Sequence, residues 1–131
     1  MDALISHKLA KVTRLAWHQP GDSTDLKVGP VHLVFDDGRG LLLAGRSDWT
    51  LEFVQTEPGD EGWLAAYDYD YLGGRWIARD ASTEPPFASV IALPLVDWAP
   101  TFNAVNEVVG LKLDFDGQQL TLRTWEGEVT T

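Results

Sequence analysis

Two stretches of this 131-residue chain carry the same alternation of apolar and polar side chains. The first runs Val31-His32-Leu33-Val34-Phe35, turns at Asp36-Asp37-Gly38, and resumes with Leu41 and Leu43. The second runs Leu111-Lys112-Leu113-Asp114-Phe115, turns at Asp116-Gly117, and resumes with Leu120 and Leu122. A period of two is the repeat of a strand with one face against a core. Asp-Gly supplies the positive-φ residues that tight hairpin turns require. A tryptophan follows each unit, Trp49 and Trp125. Two antiparallel hairpins are therefore predicted, and they set the fold class as mostly β.

Further strands fit the same pattern. Residues 49–54 alternate and extend the first hairpin into a meander. Residues 62–71 set Trp63, Leu64, Tyr67, Tyr69 and Tyr71 among Asp68 and Asp70, which predicts a strand with its acids in water. Residues 76–78 read as one more short strand. Glu84-Pro85-Pro86 reads as a loop, because proline cannot donate to a ladder. Near the start, Leu4, Ile5, Lys8, Leu9, Val12, Leu15 and Ala16 fall near helical spacing behind Asp2 as a possible N-cap. The competing reading is a short helix followed by a strand over residues 11–18. Residues 87–98 are apolar, but Pro94 and Pro100 limit any helix there. The expected architecture is an antiparallel meander folded as a sandwich or partial barrel, with one or two short helices. The length suits one domain spanning residues 1–131.

Composition narrows the function. The chain has no cysteine, which removes disulfides, zinc–thiolate sites and a thiol nucleophile. No apolar run reaches the roughly 18 residues of a membrane span, and no basic–apolar leader opens the chain, so a cytoplasmic location is expected. Twenty acids against ten Lys and Arg give a net charge of -10, which disfavours nucleic acid as a direct partner. No serine sits in a Gly-x-Ser-x-Gly elbow, and His7, His18 and His32 form no metal-binding pair. His32 alternates against Val31 and Leu33 and is expected on the solvent side of its strand. Asp36-Asp37-Gly38 and Asp114-Phe115-Asp116-Gly117 lack the ligand series of a calcium loop and read as turn formers. No catalytic, cofactor or metal residues are expected.

Two features point toward binding. Six tryptophans are many for this length; about four should be structural, with Trp63 and Trp76 partly exposed. Residues 48–70 hold seven acids and no Lys or Arg. An acidic surface carrying aromatics suits docking to a basic protein, since opposite potentials speed association and aromatic anchors supply affinity. The contact residues expected on that surface are Glu57, Asp60, Glu61, Trp63, Asp68, Tyr69, Asp70 and Tyr71.

The hairpin pattern at 31–43 and 111–122, with the strong acidity, the scattered tryptophans and the absence of cysteine, resembles small immunity proteins of bacterial polymorphic toxin systems. That resemblance implies a non-catalytic protein that neutralises a cognate toxin by occluding its active site. It brings no catalytic residues and no cofactor. A second class compatible with the residues is a β-domain that binds carbohydrate or another small molecule through exposed Trp and Tyr.

Overall fold

A computed structural model describes residues 1–21, 25–125 and 127–131. Among these residues ten strands form two antiparallel sheets: β1 (Leu9–His18), β2 (Val31–Phe35), β3 (Gly40–Gly45), β4 (Leu51–Thr56), β5 (Asp70–Tyr71), β6 (Gly74–Asp80), β7 (Leu95–Phe102), β8 (Val108–Phe115), β9 (Gln118–Trp125) and β10 (Glu128–Thr130). One sheet has the order β4-β3-β2-β1-β6-β5 and curls into a half-barrel; the other has the order β10-β9-β8-β7. The helical content described is three short 3-10 turns, Asp2–Leu4, Gly62–Tyr67 and Phe87–Ser89. The mostly β, antiparallel expectation therefore holds.

Both predicted hairpins form, one in each sheet, and they face one another. Val31, Leu33 and Phe35 meet Leu111, Leu113 and Phe115 in a shared core, joined by Leu41, Leu43, Leu120 and Leu122. Phe35 and Phe115 stack at 6.3 Å between ring centroids. Burying each such side chain stabilises the fold by about 1.5–3 kcal/mol. The turns differ. Asp116 and Gly117 both have positive φ, as a two-residue turn needs. Between β2 and β3 four residues intervene, and there Gly38 alone takes positive φ.

Three local expectations change. The N-terminal ambiguity resolves as a 3-10 turn followed by the ten-residue strand β1, because Val12 and its neighbours pair on both sides with β2 and β6. Residues 87–98 split into a 3-10 turn and the start of β7; Pro100 is tolerated because β7 is an edge strand. Residues 62–71 are not one strand. Gly62–Tyr67 is a 3-10 turn, and only Asp70 and Tyr71 join the sheet. Asp60 starts the turn by accepting the Gly62 N–H at 2.8 Å. Trp63 and Tyr67, four apart on one side of the turn, then cover the sheet instead of extending it.

Candidate functional site

The turn lies over the face of the six-stranded sheet that points away from the core. His32 is on this face, as its alternation predicts, but it is buried at 6% exposure, contrary to the expectation of a solvent-facing histidine. Its ring sits 4.8 Å from that of Trp63. Its Nε2 pairs with Thr56 Oγ1 at 2.9 Å. Burial holds the imidazole pKa below its ordinary 6.5, against the opposing pull of Glu61 and Asp60.

From His32 the rings continue in a line across the sheet. Trp63 meets Tyr67 at 6.2 Å, Tyr67 meets Trp76 at 5.6 Å, Trp76 meets Trp17 at 5.4 Å, and Trp17 meets Tyr69 at 5.9 Å. Most contacts are edge-to-face, the arrangement aromatic quadrupoles favour. Strand register creates the centre of the line, because Trp17 of β1 stands directly opposite Trp76 of β6. Gly74, on the same face of β6, leaves room for the Trp17 indole; a Cβ there would lie 2.6 Å from its ring. The Trp76 indole N–H donates to the Tyr69 hydroxyl at 3.0 Å.

The line ends in a cleft of about 630 Å³. Trp17, Trp76, Tyr69 and Tyr71 form its aromatic wall, and Asp25, Val28 and Glu128 line the rest. The second wall is held by backbone ties between distant segments. Arg14, 2% exposed, donates to the carbonyls of Lys27 and Val129 and stacks on Phe87. Gly29 N–H donates to the Val129 carbonyl, and Thr130 Oγ1 donates to that of Lys27. Burial, with Arg79 alongside, lowers the Arg14 pKa to about 10. These ties bring Asp25 and Glu128 into the lining of the same cleft as the rings.

Glu128 is half-buried, and its carboxylate makes no hydrogen bond or ion pair with any described residue. Desolvation alone acts on it and raises its carboxyl pKa above 4.5. Among the described residues no lysine or arginine lines the cleft.

The eight expected contact residues are distributed over several hollows. Asp60, Glu61 and Trp63 share a hollow of about 150 Å³ with His32 and Lys11. Asp68, Tyr69 and Asp70 line a separate shallow hollow with Arg75, and Tyr69 and Tyr71 reach the cleft. Glu57 is exposed just beyond β4 and lines neither hollow nor the cleft. Trp63 and Trp76 are half-buried, as are Trp17 and Trp98. The two exposed tryptophans are the ones that follow the hairpins, Trp49 at 60% and Trp125 at 58%. They line one groove of about 520 Å³ with Asp48, Asn103, Val109 and Thr124. Trp17, Asp25 and Glu128 were not among the expected site residues. The strand pattern marked Trp17, but nothing local in the sequence pairs it with Trp76, 59 positions away.

A second cluster is explained by the chain itself. His7, Asp36 and Asp37 bring ligand atoms within 4.8 Å of one another. His7 Nδ1 lies 2.7 Å from Asp36, which also accepts the Lys8 N–H, and Asp37 accepts the Arg39 N–H of its own turn. No helix among the described residues is long and apolar enough to cross a membrane. No protein-family model matches the chain, and comparison with curated proteins and with solved structures finds no similar protein.

Proposed function

We propose that this chain is a non-catalytic binding protein that covers the active site of a basic partner, in the manner of an immunity protein neutralising a bacterial toxin domain. The observation that carries the reading is the unbroken line of rings from His32 to Tyr69 on a sheet face that the core does not use. Rings packed against one another on a β-framework are rigid anchors that lose little entropy on contact. The net charge of -10 supplies the field that draws in a basic surface. Asp60, Glu61, Asp68 and Asp70 flank the line on both sides of the turn and are exposed. Their role is to steer; the aromatic line and cleft hold.

The test uses the tagged protein and a variant with Asp60, Asp68 and Asp70 all changed to Lys. Proteins captured from the native lysate by the parent and lost by the variant are expressed alone and then with the parent chain. The expected result is a captured protein that arrests growth alone and not in co-expression. Identical capture by both forms, or no growth arrest from any captured protein, overturns the reading.

One observation favours a second reading, a carbohydrate-binding β-domain. Trp49 and Trp125 present exposed indoles to a common groove edged by Asp48 and Thr124, where a sugar ring could stack. Quenching of tryptophan emission by a panel of oligosaccharides, lost in Trp125→Ala, tests it.

A further inference from the structure

We propose that the cleft lined by Trp17, Trp76, Tyr69 and Tyr71 together with Asp25 and Glu128 is a receptor for a single arginine side chain. The inference deepens the reading of this face as a surface for a basic protein, and rests on it for the source of the arginine.

Glu128 is the starting point. A half-buried carboxylate normally acquires a hydrogen bond or a cation, because desolvating an unpaired charge is costly. Glu128 has neither among the described residues, and it stands in a cleft whose described lining contains no base. The rings that line the same cleft are the other half of a cation site, since the negative faces of Trp and Tyr attract a cation within about 6 Å. Asp25 adds a second carboxylate at the rim; one of its oxygens already accepts the Lys27 N–H at 2.9 Å. On the wall the Trp76 N–H is already donated to Tyr69. The rings therefore offer their π faces, and the two carboxylates offer charge.

Among basic groups, guanidinium fits that division best. It is planar, stacks on aromatic rings, is weakly hydrated, and presents a fork of donors to a carboxylate. An ammonium is strongly hydrated and gains less from ring faces. A neutral sugar ring could stack but would leave Glu128 uncompensated.

The experiment follows the indole N–H resonances of Trp17 and Trp76 by NMR while N-acetyl-arginine methylamide is added. The matching citrulline amide, equal in shape and neutral, is the control. The expected result is saturable movement of both resonances with a dissociation constant in the millimolar range, as befits one side chain. Citrulline amide should bind at least tenfold more weakly, and Glu128→Gln should weaken arginine at least tenfold. Equal response to arginine and citrulline amides, no effect of Glu128→Gln, or no movement of either indole overturns the inference. So does saturation by a neutral disaccharide with none by arginine. The readout needs no partner protein. Arginine binding with unchanged lysate capture by the Asp60, Asp68 and Asp70 variant sinks the occlusion reading alone. Charge-dependent capture without arginine binding sinks the cleft proposal alone.

Discussion

His32 Nε2 lies 2.9 Å from Thr56 Oγ1, and the two meet across β3 only because residue 40 between them has no side chain. A Cβ on Gly40 would come within 2.4 Å of both atoms. The pair is the floor on which Trp63, and so the start of the ring line, rests. Gly40→Ala is expected to destabilise the protein by about 1–3 kcal/mol, the usual cost of overpacking. Urea unfolding measures it; an unchanged midpoint shows that the pair does not depend on Gly40.

The same histidine makes stability depend on pH. Burial lowers its folded-state pKa below the ordinary 6.5, so between those two values the unfolded chain binds more protons than the folded one. The contribution is fully present above pH 6.5 and is lost as pH falls through the folded value. Urea midpoints at pH 7.5 and 5.5 should therefore show the parent losing stability on acidification. Thr56 also accepts or donates to an amide, so His32→Asn should fold and flatten that slope. An equal slope in both proteins assigns the effect to other groups.

Phe35 and Phe115 hold equivalent places in the two hairpin patterns and stack with only 16° between ring planes. Phe115→Ala is expected to cost about 3–5 kcal/mol. Combining it with Phe35→Ala should cost less than the sum of the two, because the first substitution already removes the shared contact. Additive losses in denaturant unfolding would mean that each ring packs independently.

These hairpins were the legible part of the chain, since period-two alternation and Asp-Gly turns are local signals and the core follows from them. What was not legible depended on contacts between distant segments. His32 obeys its alternation, yet its burial comes from Trp63, which the turn over residues 62–67 folds back across the sheet. Tyr and Trp at residues 62–71 satisfy a strand pattern and a covering turn alike; Gly62 and the Asp60 side chain decided for the turn. Glu128 looked like one acid among twenty, because its desolvation arises where β10 meets the loop that Arg14 holds. Nor could the sequence show that Lys11 and Arg75, from other strands, line the same hollows as the acids grouped in sequence.

Gly74 is to Trp17 what Gly40 is to His32. A Cβ at residue 74 would approach the Trp17 ring to 2.6 Å, so Gly74→Ala must push the indole toward the cleft or force β6 aside. A cost of about 1–3 kcal/mol is expected, with a change in the near-ultraviolet circular dichroism of the Trp17–Trp76 pair. Loss of stability with an unaltered aromatic spectrum would show that the backbone yields and the ring pair does not.

Glu128 predicts the opposite kind of effect, a substitution that stabilises. Desolvation raises its folded-state pKa above the unfolded value of 4.5. A group shifted in this direction contributes stability below the unfolded pKa and loses it as pH rises through the folded pKa. At neutral pH its ionised form is therefore a liability in the free protein, which Gln removes while keeping the shape. Glu128→Gln should melt at a higher temperature than the parent at pH 7, with the advantage shrinking toward pH 4, where both folded forms are neutral at this position. Such a profile separates binding from folding, since a variant more stable than the parent cannot lose arginine affinity by unfolding. A lower melting temperature at pH 7, or a gain of equal size at pH 4, would mean that the carboxylate has a partner that compensates its burial, and the cleft would no longer have a charge left to offer.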